Sequence, residues 1–166
     1  MSGKINYLVR ADRVDGSSEQ VRQIAGICNQ KEVYNLLFRE NLKGEVYSES
    51  NAIEFLEWAN EGWKKQSYFV FFILDNQRNI LGCMDIKSTE LTCAEIGYWA
   101  SNSQKGNITN ALLELVRMAS EVGCKKLVAY VEKDNANSLR VLSRASFAKD
   151  TSLEQIHGFN CVSRNL

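Results

Sequence analysis

The chain has 166 residues, of which 45% are hydrophobic and 24% charged, and its 20 basic and 20 acidic residues give a formal net charge of zero. This is the composition of an ordinary globular protein, and we expect a single domain with one substantial core over residues 1–166. Balanced charge argues against a protein that binds nucleic acid or anionic membranes through bulk charge, although it leaves room for a local basic cleft, and neither is an expected partner.

The first half of the chain predicts one short strand followed by helical segments. Ser17 or Ser18 suits an N-cap, because a hydroxyl oxygen accepts a hydrogen bond from an unpaired N–H of the first helical turn. An aromatic-rich helix further on indicates core packing. In chain order the predicted elements are a strand at Ile5–Arg10, a polar turn at Asp12–Ser18, a helix that buries Val21, Ile24, Ala25 and Cys28, a helical piece at Glu32–Arg39, a loop at Glu40–Ser50 and a helix at Asn51–Trp63.

The second half of the chain predicts most of a sheet. Its first strand is a continuous apolar run, which is typical of a strand buried on both faces. The predicted elements are strands at Tyr68–Leu74, Asn79–Lys87 and Cys93–Trp99, a loop at Ala100–Gly106, a helix at Asn107–Val122, a strand at Leu127–Glu132, a helix at Asn137–Ala145, and a tail at Phe147–Leu166 with a hairpin turn at His157–Gly158. This order predicts an α/β fold with a mixed sheet and helices on both faces. The strands on either side of the long helix should be parallel.

The long helix at Asn107–Val122 is the most strongly patterned segment. Its apolar residues recur at the spacing of one buried face, and Gly123 is suitable as a C-cap. These residues are Ile108, Ala111, Leu112, Leu115, Val116, Ala119 and Val122.

The start of this helix is a candidate phosphate site. The first N–H groups of a helix have no internal partner, and the helix dipole adds partial positive charge there. Lys105 adds a cation, and Gln104, Asn107 and Thr109 add neutral hydrogen-bonding groups. The alternative is a plain strand–turn–helix connection in which Gly106 only relieves the turn.

The cysteines and the hydropathy pattern predict a cytoplasmic protein. No apolar run of 18 residues occurs, and the first residues lack the apolar core of a signal peptide. The number of cysteines is odd and none forms a C-x-x-C pair, which predicts reduced, packed thiols rather than disulfides or a metal site. They are Cys28, Cys83, Cys93, Cys124 and Cys161.

Two motifs in the right order resemble a known family. The stretch AEIGYW, a polar loop and KGNITNALLELV, followed by NANSLRVLSRASF, resembles the acetyl-CoA-binding core of the GNAT superfamily of N-acyltransferases. The likeness is closest to its ribosomal-protein alanine N-acetyltransferase branch, whose downstream pattern is N-x-x-S-x-x-V and then Gly-Phe. Asn135, Ser138, Val141 and Phe147 match that pattern. The cofactor loop departs from the family's loop pattern, because Gln104 stands where the family usually has glycine.

The resemblance implies a GNAT-like acyl-CoA N-acyltransferase fold, with a mixed, mostly antiparallel twisted sheet. It also implies that acetyl-CoA is the co-substrate and that no metal is needed. In the family the strand before the loop splays from its parallel neighbour, and the gap takes the pantetheine arm. The candidate cofactor-binding residues are Trp99, Ala100, Gln104, Lys105, Gly106, Asn107, Ile108, Thr109, Asn135 and Ser138.

The implied acetyl transfer needs a proton acceptor for the amine and a donor near the leaving thiolate. Glu95, on the strand that leads into the loop, is one candidate base, and the alternative is a glutamate of the sheet surface. Glu154 in the tail is a second candidate. Ser138 is a candidate donor to the thiolate, and the alternative is that Asn135 and Ser138 merely cap a short helix. The tyrosine that many members use as general acid is Leu142 here.

These features predict an enzyme that moves an acetyl group from acetyl-CoA to a primary amine by direct attack. The acceptor is a protein N-terminus or a small amine, and the fold does not choose between them. The alternative is a module of the same fold that binds or senses acyl-CoA without turnover, or a scaffold that has lost the cofactor. A homodimer is possible by resemblance to the family.

Overall fold

The computed structural model of the chain describes residues 6–104, 107–152 and 159–166. Within these residues the chain forms seven β-strands and six α-helices. In chain order they are β1 (Tyr7–Arg10), α1 (Ser18–Cys28), α2 (Lys31–Leu37), α3 (Arg39–Leu42), α4 (Glu49–Lys65), β2 (Phe69–Leu74), β3 (Ile80–Ile86), β4 (Ala94–Ala100), α5 (Asn107–Glu121), β5 (Lys126–Val131), α6 (Ala136–Arg144), β6 (Ala148–Lys149) and β7 (Asn160–Asn165).

The strands form a mixed, mostly antiparallel sheet. Hydrogen-bonded neighbours follow the order β1-β2-β3-β4-β5-β7-β6. β1 is antiparallel to β2, and β7 is antiparallel to both β5 and β6. β4 and β5 are parallel, as predicted for the strands that flank the long helix. The α/β fold class predicted from the sequence is therefore confirmed.

By contact density the chain divides into two compact units. Among the described residues, unit one comprises 6–85 and 98–104, and unit two comprises 86–97, 107–152 and 159–166. The boundary passes through β4. The single domain expected over residues 1–166 stays a prediction.

Unit one has a core built by α1, α4 and β2. Every residue of β2 after Phe69 is buried, as expected for a strand covered on both faces. α1 begins after Ser17, whose side chain accepts a hydrogen bond from Gln20 N, and the apolar face predicted for this helix is buried. α4 begins with a reciprocal capping box between Ser48 and Asn51. Local capping thus fixes where both helices start, and burial holds them in place.

Unit two has its core along α5. The predicted apolar face of this helix is buried from Ile108 to Ala119. Val122 was also assigned to that face, and this assignment is wrong, since Val122 is 69% exposed. The helix ends at Glu121, and Gly123 turns the chain away with a φ of 90°. A residue beyond the last helical turn no longer follows the helical spacing, so its side chain leaves the buried face.

The connection between α1 and α4 differs from the sequence prediction. We expected one helical piece at Glu32–Arg39 and a loop at Glu40–Ser50, whereas the structure has two helices, α2 and α3, and the second extends into the predicted loop. The chain turns at Lys43 instead, which adopts the left-handed conformation with φ 50°. The segment around α3 is polar and short, so no apolar periodicity marks it as a helix.

The other predicted bounds agree with the structure to within two residues. The hairpin turn expected at His157–Gly158 lies outside the described residues. The strands on either side of that segment, β6 and β7, are antiparallel, with Ala148 opposite Ser163 and Lys149 opposite Val162.

We predict that Gly62→Ala destabilises the packing of α4. A methyl group built at Gly62 would lie 2.3 and 2.4 Å from two ring atoms of Tyr68 and 2.6 Å from its carbonyl oxygen. Because a backbone oxygen cannot simply rotate away, the substitution should lower the free energy of unfolding by about 1–3 kcal/mol. Urea denaturation followed by circular dichroism measures this change.

Gly26→Ala in α1 is the matched control. Nothing lies within 4 Å of a methyl group built at Gly26. Alanine is the better helix former by up to about 1 kcal/mol, so this variant should be as stable as the parent or more stable. A Gly62→Ala variant that unfolds at the parent's urea midpoint would show that the contact with Tyr68 is not tight.

Candidate active site

The parallel pair β4–β5 frames the candidate catalytic residues of unit two. The strands are in register at Ala94–Leu127 and Glu95–Val128. Since β4 continues to Ala100 and β5 to Val131, these paired residues lie near the amino-terminal ends of the two strands. Ala94 and Leu127 are buried, and alternation places Glu95 and Val128 on the opposite face. Glu95 therefore lies on the opposite face of β4 from the buried Ala94.

Glu95 is ion-paired with Lys87, which follows β3. The backbone of the two residues is also joined, because Lys87 N donates to Glu95 O at 2.9 Å. The ion pair uses Oε1 of the carboxylate, and about a third of the side chain is exposed. The second carboxylate oxygen, Oε2, is also a hydrogen-bond acceptor and is not part of this ion pair. Sequence reasoning found Glu95 and missed Lys87, although opposite charges on neighbouring predicted strands were a usable signal.

Asn135 and Ser138 are brought together at the start of α6. Asn135 is the N-cap, and its Oδ1 accepts a hydrogen bond from Ser138 N at 3.1 Å. Both residues are half-buried. This is the capping role that the sequence left open as an alternative. The cap also fixes the direction of the Asn135 amide nitrogen, which is a hydrogen-bond donor.

Tyr130 is a polar residue of β5 that the sequence analysis did not single out. It lies two residues after Val128 and therefore on the same face of the strand, the face of Glu95. Burial raises the pKa of the Tyr130 phenol, and nearby Cys161 and Glu95 raise it further. The phenol is accordingly protonated at neutral pH and can donate a hydrogen bond. Side chains alternate along a strand, so counting two residues on from Val128, the partner of Glu95, would have pointed to Tyr130.

Trp99 and Ala100 end β4 in unit one. The Trp99 indole packs against Phe55 and Phe72, with ring centroids 6.0 and 6.5 Å apart. A side chain at Gly82 would lie 2.7 Å from the Trp99 carbonyl oxygen and 2.9 Å from Ala100 Cβ, so the backbone approaches closely here. The indole is thus a packing element of unit one. Trp99 and Ala100 stay predicted cofactor contacts, and both are half-buried.

The loop after β4 begins with a short 3-10 helix at Asn102–Gln104. Ser101 N donates to Leu81 O at 2.8 Å and continues the strand pairing. The side chain of Gln30, from the connection between α1 and α2, contacts both Ser101 and Asn102. Sequence reasoning missed this contact.

The predicted phosphate site is described only in part. α5 starts at Asn107, where the structure has the predicted helix start. Ile108 is buried and Thr109 is half-buried, so Ile108 serves the core of unit two. Lys105, Gly106 and Glu154, with the side chains of Gln104 and Asn107, lie outside what the structure describes.

The described ranges give no cluster of three or more His, Cys, Asp or Glu side chains that could hold a metal ion. Nor does any helix in the described part of the chain have the length and apolar character needed to cross a membrane. All five cysteines are free; four are buried and Cys93 is half-buried. Burial of four of the five agrees with the prediction of packed thiols.

Comparison with a family model gives a match over most of the chain. The model, described as an acetyltransferase (GNAT) domain, matches residues 17–148. This range contains β4, α5, β5 and α6, with Glu95, Asn135 and Ser138. A comparison with curated proteins finds no match.

Solved structures of acetyltransferases share the fold. RimL, a ribosomal L7/L12 alpha-N-protein acetyltransferase in complex with coenzyme A, matches with a TM-score of 0.77 and 18% identity over 99% of this chain and 96% of that chain. The microcin C7 self immunity acetyltransferase MccE, in complex with acetyl-CoA and AMP, matches with a TM-score of 0.72 and 19% identity over 90% and 89%. Spermidine N-acetyltransferase from Vibrio cholerae, in complex with CoA and spermine, matches with a TM-score of 0.64 and 15% identity over 90% and 83%.

At these identities the solved structures establish only the shared fold. The family match over residues 17–148 also establishes the family. That match includes both motifs from which the sequence analysis recognised the superfamily, and it confirms the expected class of acetyl-CoA-dependent acetyltransferases. The chain belongs to the GNAT acetyltransferase family.

Proposed function

We propose that the chain is an N-acetyltransferase that moves an acetyl group from acetyl-CoA to a primary amine by direct attack in a ternary complex. The observation that carries the proposal is the parallel β4–α5–β5 arrangement within the family-matched range, followed by Asn135 at the start of α6. Solved structures of the same fold hold coenzyme A or acetyl-CoA, which supports acetyl-CoA as the co-substrate.

In this proposal the start of α5 receives the cofactor's pyrophosphate over Gln104–Thr109. Backbone N–H groups of the first turn and the helix dipole favour an anion there, and Lys105 adds a positive charge. Backbone N–H groups near the end of β4 polarise the thioester carbonyl as an oxyanion hole. Asn135 offers its amide nitrogen to the peptide-like pantetheine arm while its oxygen stays on the helix cap.

The chemical step is attack of a neutral amine nitrogen on the thioester carbonyl carbon. The C–N bond forms, the C–S bond breaks and coenzyme A leaves as a thiolate. Glu95, through Oε2 or a water molecule, is one candidate to take the amine's proton, and Glu154 is the other. Ser138 is the candidate donor to the thiolate. The buried cysteines argue against an acetyl-enzyme, since burial raises the pKa of the Cys28 thiol to about 12 and that of Cys83 well above its usual value.

The acceptor is proposed at the level of a primary amine. Among the proteins that share the fold, one is a ribosomal L7/L12 alpha-N-protein acetyltransferase and another is a spermidine N-acetyltransferase. A shared fold does not choose between such acceptors. We also propose a cytoplasmic location, based on the cysteines and the hydropathy pattern. A homodimer is proposed because dimers are common in the family.

Turnover of acetyl-CoA with a panel of amines tests the proposal. Thiol release and the mass of the acetylated acceptor should both depend on the amine, and the rate should rise with pH as the amine and the base lose protons. Saturable binding without turnover for any amine would instead support an acyl-CoA-binding module. Mass spectrometry of the protein with acetyl-CoA alone should show no acetyl-cysteine competent for transfer; such a species would overturn direct attack.

We predict that Asn135→Ala weakens acetyl-CoA binding by about tenfold, close to 1.4 kcal/mol, because the pantetheine arm loses its donor. Alanine also removes the cap of α6, which should lower stability by about 1 kcal/mol. Asn135→Ser separates the two effects, since serine caps a helix well but lacks the amide nitrogen. The serine variant should keep the parent's melting temperature and still bind acetyl-CoA more weakly in calorimetry. If the serine variant binds acetyl-CoA as tightly as the parent, Asn135 only caps α6 and does not bind the cofactor.

We predict that Glu95→Gln lowers kcat by about 100-fold or more if Glu95 is the base, with little change in acetyl-CoA affinity. Glutamine keeps the shape of the side chain but cannot accept the proton. Glu90→Gln is the matched control: Glu90 lies in the connection between β3 and β4, also in unit two, is exposed and accepts a hydrogen bond from Thr92. Its kcat should equal that of the parent. Glu154→Gln is measured in parallel, and full activity in both the Glu95 and the Glu154 variants would leave the carboxylate mechanism without support.

A further inference from the structure

Two neighbouring amide side chains extend in different directions from the connection between α1 and α2. Asn29 exchanges two hydrogen bonds with the backbone of Tyr47, since its Oδ1 accepts from Tyr47 N at 2.9 Å and its Nδ2 donates to Tyr47 O at 2.8 Å. Tyr47 is buried in the core of unit one. Asn29 thereby fixes the connection to the core.

Gln30 uses its amide in the same two-point manner on a distant part of the chain. Its Oε1 accepts from Asn102 N at 2.8 Å, and its Nε2 donates to Ser101 Oγ at 3.2 Å. The Asn102 side chain returns the contact, because its Nδ2 donates to Glu32 Oε2 at 2.5 Å. Ser101 Oγ also lies 3.0 Å from Ser103 Oγ. The first residues of the loop after β4 are therefore held by the amino-terminal end of α2.

This loop leads directly into α5. Its residues Asn102 and Ser103 are exposed, so burial contributes little to their order. Without side-chain contacts, exposed residues of this kind lose conformational entropy when a ligand orders them. The loop also lacks the glycine that the family usually has at position 104. A side chain that fixes the first residues of the loop in advance lowers the entropic cost of binding.

We propose that Gln30 is a positioning residue for acetyl-CoA: its amide holds Ser101 and Asn102 in place, so that these first residues of the loop need no further ordering when the cofactor binds. The proposal rests on the proposed function, because it takes the loop after β4 to be the cofactor loop. Gln30 itself touches no reacting atom. Its contribution acts on the affinity for acetyl-CoA and leaves the acetyl-transfer step itself unchanged.

A matched pair of variants tests this role. Gln30→Met removes both hydrogen bonds of the amide and keeps a side chain of similar length. Gln23→Met removes the same two kinds of bond elsewhere in unit one, where Gln23 Oε1 accepts from Ile80 N at 2.8 Å and its Nε2 donates to Asn79 Oδ1 at 2.9 Å. Calorimetry with acetyl-CoA, steady-state kinetics and thermal unfolding are measured for both variants and the parent.

We expect both variants to lose a similar amount of thermal stability. Gln30→Met alone should raise the Kd and the KM for acetyl-CoA, by roughly three- to tenfold, as the loss of one or two hydrogen bonds would give. Its kcat at saturating acetyl-CoA should stay close to that of the parent. Gln23→Met should keep the parent's Kd and KM.

An unchanged Kd in Gln30→Met, or an equal rise in Gln23→Met, overturns the positioning role. If Gln30→Met does not fold, Ser101→Ala takes its place, because it removes only the partner of Gln30 Nε2; a smaller rise in Kd supports the role and parental affinity refutes it. If the parent itself does not bind acetyl-CoA, the proposed function fails and this inference fails with it. A parent that binds acetyl-CoA and a Gln30 variant that binds equally well refute this inference alone.

Discussion

The pairing of two parallel strands is the constraint on which unit two depends. Antiparallel neighbours need only a short turn, whereas a parallel pair needs a long crossover, and here α5 supplies it. The crossover begins with the start of a helix, where backbone donors have no internal partner. It also sets the register that gives Glu95 and Tyr130 the same face and leads β5 into the cap at Asn135. The chemistry proposed for the chain follows from that single crossover.

The sequence predicted well those segments whose apolar pattern results from burial. The apolar run of β2 and the periodic face of α5 both reflect burial, and both segments are buried as expected. The failures occurred where burial gives no pattern. α3 is a single polar helical turn, and Val122 lies where the helix has already ended, so neither could be read from spacing alone.

The sequence predicted individual residues of the candidate site but not the side chains that contact them. Glu95 follows from its place on the strand before the loop, and Asn135 from the resemblance of Asn135 and Ser138 to the family's N-x-x-S pattern. Lys87 and Gln30 emerged only from the structure: Gln30 reaches a backbone group 72 residues away, and no local rule of sequence predicts such a pair. Lys105 and Gly106 in the cofactor loop and Glu154 in the tail stay predictions from the sequence.

The packing of Trp99 has a consequence for how unfolding can be observed. The three tryptophans of the chain, Trp58, Trp63 and Trp99, all belong to unit one, whereas the far-ultraviolet circular dichroism signal comes from helices of both units. Intrinsic fluorescence therefore follows unit one by itself. Coincidence of the fluorescence and dichroism transitions would mean that the two units melt as one cooperative body, and separate midpoints would reveal an intermediate in which one unit has lost its structure and the other has kept it.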